Sequence, residues 1–174
     1  MSAALLIIDM QVGLFQGQEK PHDGERILAN IQHLIARARQ RQVPILAVRH
    51  TGPQGSPIAA GSAFWQLLPE LELDAANATL FEKSRPNAFH GTELAHQLNA
   101  MKVEDLYIVG MKTQFCIDST CRAAADLGFK PLLVADAHTC MDTPALSAQA
   151  IIEHHNATLD AAFVRLINTA DVTF

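Results

Sequence analysis

The chain has 174 residues, 49% of them hydrophobic, and 18 Asp and Glu against 13 Lys and Arg give a formal net charge of -5. Residues 1–174 read as one domain with a full core and no linker or repeat, and an acidic balance without a Lys/Arg cluster speaks against a nucleic-acid or anionic-membrane partner. Cys116, Cys121 and Cys140 are an odd number without C-x-x-C spacing, which argues against a disulfide framework and fits a reducing, cytoplasmic setting.

In chain order, residues 4–8 form a continuous apolar run closed by Asp9. The run is far too short to span a bilayer, and no basic segment or small-residue cleavage site precedes it. It predicts a buried parallel strand with a carboxylate at its carboxyl end, the edge where open α/β sheets bind ligands. Residues 24–41 have helical periodicity, and 44–48 predict a second strand. The loop 51–61 is uncharged and built from small residues, so it is either a flexible lid or an ordinary surface connection. A short amphipathic helix over 63–68 carries Trp65, the only Trp. A third strand over 79–81 runs on to Lys83 before the irregular loop 84–91. Then follow a helix over 92–101, a strand over 106–109, a helix over 116–127, a strand over 131–135, a helix over 144–155 and a strand over 163–167. This alternation predicts an α/β three-layer α/β/α sandwich around a mainly parallel, Rossmann-like sheet of about six strands.

The joint after the fourth strand carries the most chemical information. Val109-Gly110-Met111-Lys112-Thr113-Gln114-Phe115-Cys116 leads an apolar strand into a turn and delivers a cysteine where a helix begins. A thiol there meets the positive end of the helix dipole and unpaired N–H groups, which lower its pKa. A free cysteine is also among the residues most often buried as a small core side chain. Asp9 and Lys83, each taken alone, read as solvated strand ends or as a structural ion pair. A single parallel sheet, however, brings Asp9, Lys83 and Cys116 to one edge.

Four segments in that order carry a resemblance to a known family: Asp9-Met10-Gln11; Glu82-Lys83 followed by Asn87-Ala88-Phe89 and Gly91-Thr92-Glu93-Leu94; Gly110-x-x-Thr113-x-x-Cys116; and Asp136-Ala137. The chain resembles the isochorismatase-like cysteine hydrolases, which include nicotinamidases and N-carbamoyl amidohydrolases, from Leu5 to about Val172. The resemblance implies that Cys116 is a nucleophile, Asp9 the base that takes its proton and later gives it to the leaving amine, and Lys83 the cation that stabilises the thiolate. It also implies a non-proline cis peptide at Met111-Lys112, an oxyanion hole from the backbone N–H groups of Lys112 and Cys116, and a homo-oligomer, dimer or tetramer. True isochorismatases, which cleave a vinyl ether, lack the cysteine. Its presence here therefore favours hydrolysis of a C–N bond in a small amide or carbamoyl substrate.

Nicotinamidases of that family hold a divalent ion with an Asp-x-His…His cluster. Here the corresponding stretch is Val48-Arg49-His50-Thr51, with no Asp before the histidine, and a lone histidine is a poor metal site. Neither a metal nor an organic cofactor is expected, and no G-x-G-x-x-G follows the first strand. For the substrate pocket, Gln11, Phe15, Trp65, Phe89 and Phe115 lie in or beside loops that follow strand ends. Gln11 is expected to bond the substrate or the Asp9 carboxylate. The alternatives to a cysteine amidohydrolase are a vinyl ether hydrolase and a catalytically silent binding module.

Overall fold

The first strand, β1 (Ser2–Ile8), carries two apolar stripes because successive side chains point to opposite faces of a sheet. Leu5 and Ile7 join one core with the buried face of α2 (Gly24–Gln40), namely Ile27, Ile31, Leu34, Ile35 and Ala38. Ala4, Leu6 and Ile8 join a second core with Leu94 and Leu98 of α3 (Leu94–Ala100), Cys121 and Ala124 of α4 (Asp118–Asp126), and Leu159 of α5 (Ala148–Asp160). All five residues from Ala4 to Ile8 have 0% exposure, the two-sided burial that a central parallel strand requires. In the computed structural model, residues 2–160 and 162–174 are described.

The remaining strands are β2 (Ile45–His50), β3 (Thr79–Lys83), β4 (Val103–Met111), β5 (Lys130–Thr139) and β6 (Arg165–Ile167). All pairings are parallel, and the order β3-β2-β1-β4-β5-β6 places β1 beside β4 at the centre. That order reverses direction between β1 and β4, the point at which doubly wound sheets open a crevice outside the carboxyl ends of their strands. Gly110 at φ 118° lets the two central strands meet there. A Cβ at Gly110 would lie 2.1 Å from the carbonyl oxygen of Ile8.

Several boundaries differ from the sequence expectation for local reasons. The helix expected from residue 116 is preceded by a wide helical turn, Thr113–Ile117, closed by the Ile117 N–H donating to the Lys112 carbonyl, and α4 starts at Asp118. The helix expected over 144–155 begins at Ala148 and runs to Asp160. Asp142 accepts the Ala148 N–H (2.7 Å) and Ser147 the Ala150 N–H (3.2 Å), side-chain bonds that fix the start. The last strand is only three residues long. The crossover from β2 to β3 has no α-helix; it uses two short 3₁₀ turns, Ala63–Trp65 and Pro69–Leu71.

The short helix α1 (Val12–Phe15) follows β1 directly and packs against the first of those turns. A Cβ on Gly13 would lie 2.7 Å from that of Phe64. Two further bonds fasten the crossover to the first loop, Val12 N–H to the Gln66 carbonyl and Leu68 N–H to the Met10 carbonyl, both 2.9 Å.

Candidate active site

Three strand ends supply the site. Asp9 follows β1 with φ 53°, a left-handed conformation that Asp tolerates better than most residues. Its N–H donates to the Val48 carbonyl (3.1 Å) and its carbonyl accepts from Gln11 N–H (2.8 Å), so backbone bonds on both sides hold the bend. Lys83 is the last residue of β3, and the Lys83 and Asp9 side chains have only 0% and 1% exposure. Cys116 sits in the wide turn after β4 at 8% exposure.

The Lys83 ammonium is the hub. Nζ donates to Asp9 Oδ2 at 2.8 Å, to Cys116 Sγ at 3.2 Å and to His50 Nδ1 at 3.0 Å. An ammonium has three N–H donors, and each has a partner here. Desolvation of such a pair offsets much of its attraction, so its main consequence is a fixed geometry rather than stability. Asp9 Oδ1 has no hydrogen-bond partner and is buried.

The charges compete in a way the sequence did not convey. Burial raises the Asp9 carboxyl against the pull of Lys83. Burial, then the negative charge of Asp9, push the Cys116 thiol up to about 12, with Lys83 opposing. The lowered thiol pKa expected from a helix N-terminus is therefore corrected: Cys116 lies in the wide turn before α4, where burial and an adjacent carboxylate push the thiol up. At rest the sulfur carries its proton, which must move before or during attack. Burial and Lys83 together hold His50 below the usual imidazole range, and opposite an ammonium, which only donates, its Nδ1 is the acceptor.

The residues expected to line a pocket lie apart from this cluster in several ways. Gln11 is fully buried, and its amide is consumed by the backbone: Oε1 accepts His50 N–H (2.8 Å), while Nε2 donates to the carbonyls of His50 (3.1 Å) and Trp65 (2.9 Å). Its side-chain amide makes no bond to the Asp9 carboxylate. Trp65 is 7% exposed; its indole N–H donates to Thr51 Oγ1 and the Arg49 guanidinium covers its ring face at 3.6 Å. Phe15 packs on the α2 side of the core. Phe89 stacks on Phe129 with centroids 5.8 Å apart. Phe115 is 52% exposed on the rim of the turn. The Met111-Lys112 peptide is cis.

Sequence reasoning missed Phe64 and set His50 aside as a lone histidine, whereas the structure places it beside Lys83, Asp9 and Cys116. His50 pairs in register with Lys83 on the neighbouring strand, and that register was the signal available once both strand ends were aligned. Phe64, not its neighbour Trp65, is the exposed aromatic of the crossover. It lines an open cleft of about 640 Å³ with Leu14, Gln18, Glu19, Pro57, Lys112 and Met141. That cleft reaches the residue before the nucleophile turn.

Asp9, His50 and Cys116 offer ligand atoms within 4.8 Å of one another, and carboxylate, imidazole and thiolate are a donor set that borderline metals accept. The Lys83 ammonium, bonded to all three residues, already supplies the cation among them. The arrangement therefore does not fit a resident metal.

The sequence profile of the isochorismatase domain matches residues 3–171. The chain is 30% identical over 142 residues to a streptothricin hydrolase of Streptomyces noursei, covering 82% of this chain and 51% of that protein. It thus spans about half the length of that curated relative. It is 28% identical over 148 residues to nicotinamidase 3 of Arabidopsis thaliana, covering 78% of this chain and 72% of that one. Among solved structures, an isochorismatase from Pseudomonas putida KT2440 superimposes with a TM-score of 0.90 at 30% identity, covering 98% of this chain and 90% of that one.

Proposed function

The chain belongs to the isochorismatase family of hydrolases, and from that premise we propose that it hydrolyses a C–N bond of a small amide or carbamoyl compound through a thioester on Cys116. The observation that carries this reading is the Lys83 ammonium within 3.2 Å of both the Asp9 carboxylate and the Cys116 sulfur. A vinyl ether cleavage needs no thiol at that place.

In the proposed reaction Asp9 acts as general base. Oδ1, which bonds no other group, takes the thiol proton as Sγ attacks the substrate carbonyl. The negative charge that develops on the carbonyl oxygen is met by the backbone N–H groups of Lys112 and Cys116, and each such donor typically contributes about 3 to 4 kcal/mol in the transition state. Protonated Asp9 then gives its proton to the departing amine, leaving a thioester. Asp9 next removes a proton from water, which attacks the thioester; Sγ leaves and is reprotonated. Lys83 keeps its charge throughout, so the buried cluster never carries an unbalanced anion.

Relatives at 28% and 30% identity are a nicotinamidase and a streptothricin hydrolase, which supports C–N hydrolysis as the class and leaves the substrate to the cleft around Phe64. A screen of small amides, carbamoyl compounds and ureido acids on wild type and Cys116→Ala tests the proposal. Wild type is expected to release amine or ammonia and to show an acyl adduct on Cys116 by mass spectrometry of quenched reactions. Cys116→Ala is expected to fold and to be inactive. Turnover by Cys116→Ala at the wild-type rate would eliminate the covalent route.

A further inference from the structure

His50 belongs to the cluster yet has no part in the reaction just described. It ends β2 in register with Lys83, which ends β3. Its backbone is clamped on both sides by the Gln11 amide, through His50 N–H to Oε1 at 2.8 Å and Nε2 to the His50 carbonyl at 3.1 Å. The next residue continues the lock, with Thr51 N–H donating to the Lys83 carbonyl at 2.8 Å. A fully buried glutamine thus fixes the backbone from which one histidine ring projects and ties it to the Trp65 carbonyl (2.9 Å). That ring meets the ammonium at 3.0 Å.

We propose that His50 is a positioning residue of the site: its Nδ1 accepts the third N–H of Lys83, so the ammonium is held between Asp9 and Cys116 and fills the place where the same three donors would otherwise take a metal. This inference rests on reading Cys116 as the nucleophile. Lysine is a point charge on a flexible four-carbon stem, and two acceptors on one side leave its third proton unpaired in a desolvated pocket, where an unmade bond is costly. His50 supplies the missing acceptor. It must do so as the Nε2–H tautomer, since a ring protonated at Nδ1 has no lone pair to offer there. A divalent ion entering among these donors at metal–ligand distances of about 2.0 to 2.3 Å would have to displace the ammonium.

Three measurements on the full chain test this. Imidazole ¹⁵N NMR of wild type at neutral pH is expected to show His50 neutral with the proton on Nε2; a proton on Nδ1 would overturn the proposal whatever Cys116 does. Iodoacetamide labelling read by peptide mass spectrometry compares wild type, His50→Asn and His50→Leu at one pH, with melting temperatures alongside. Asn presents an amide oxygen near the position of Nδ1. His50→Leu is expected to label Cys116 about tenfold more slowly, the effect of about one pKa unit on thiolate content, and His50→Asn to recover most of the loss. Equal rates in wild type and His50→Leu, or Asn as slow as Leu, would overturn it. Cobalt(II) titration is expected to give no thiolate-to-metal absorption in wild type, and a stoichiometric band that disappears in Cys116→Ser would refute the ammonium as occupant. The underlying hydrolase reading fails separately, if wild-type Cys116 labels no faster than Cys121 and Cys140.

Discussion

At the scale of single residues, the site is a contest over one proton between two groups whose ionised forms burial disfavours. Lys83 brings one positive charge into contact with Asp9 Oδ2 and Cys116 Sγ, enough to balance one anion but not two. With Asp9 ionised, a thiolate alongside would be a second negative charge in the same pocket, and the thiol stands at about 12 for that reason together with burial. Asp9→Asn removes the carboxylate while retaining the shape. The thiol pKa is then expected to fall, because Lys83 has only the sulfur left to neutralise. Turnover is expected to drop by about 10² to 10⁴-fold, the usual contribution of a general acid–base group. Spectroscopic titration of the thiolate beside steady-state assays separates the two effects. A thiol pKa that rises in Asp9→Asn would mean that Asp9 does not oppose the thiolate.

At the scale of elements, the nucleophile turn is braced from behind by a buried histidine. His138 on β5 accepts from the Thr113 hydroxyl at Nδ1 (2.9 Å) and donates from Nε2 to Asn156 Oδ1 on α5 (2.8 Å), so turn, strand and helix share one ring. Both Thr113 and His138 are fully buried. Burial lowers the ring from 6.5 to about 4. Because the folded value is depressed, the unfolded chain binds the proton first as pH falls. The stability associated with the neutral ring is complete above pH 6.5 and is lost progressively between 6.5 and 4. At pH 5 the loss is about 2 kcal/mol relative to pH 7 by linkage for this one group. Urea unfolding of wild type and His138→Gln at pH 7 and pH 5 checks this, with the variant expected to lose about 2 kcal/mol less on acidification. An identical pH dependence in both proteins would show that His138 is not the acid-sensitive brace.

For the whole molecule, the strand order converts distant chain positions into one edge. Asp9 and Lys83 are 74 positions apart and Lys83 and Cys116 are 33 apart, and β2 and β1 separate the third strand from the fourth in the sheet. Lys83 reaches across because its stem lies buried along the strand ends. No helix among the described residues is long and apolar enough to cross a membrane. Phe64, Phe115, Leu127 and Leu146 are each more than half exposed, apolar side chains open to contact with a second copy. With the family resemblance, this leads to the expectation of a homo-oligomer. Sedimentation velocity at micromolar concentration is expected to give a mass of at least twice the 18.9 kDa of the chain; a monomer throughout would remove the expectation.

The amino-acid sequence alone determined the α/β class, the central position of the run ending at Asp9, and the three chemical groups gathered at one sheet edge. These follow from apolar runs, turn residues and functional side chains at strand ends, all of which are local signals. The tertiary structure decided the rest. It made Gln11 a backbone clamp, buried Trp65 while exposing Phe64, and brought His50 to the ammonium of Lys83. It also reversed the expected thiol shift, because desolvation and the carboxylate at Cys116 depend on what the fold packs around the sulfur. Register and burial arise only when distant segments meet, so a reading of neighbours along the chain finds the reactive groups but not the balance of charge among them.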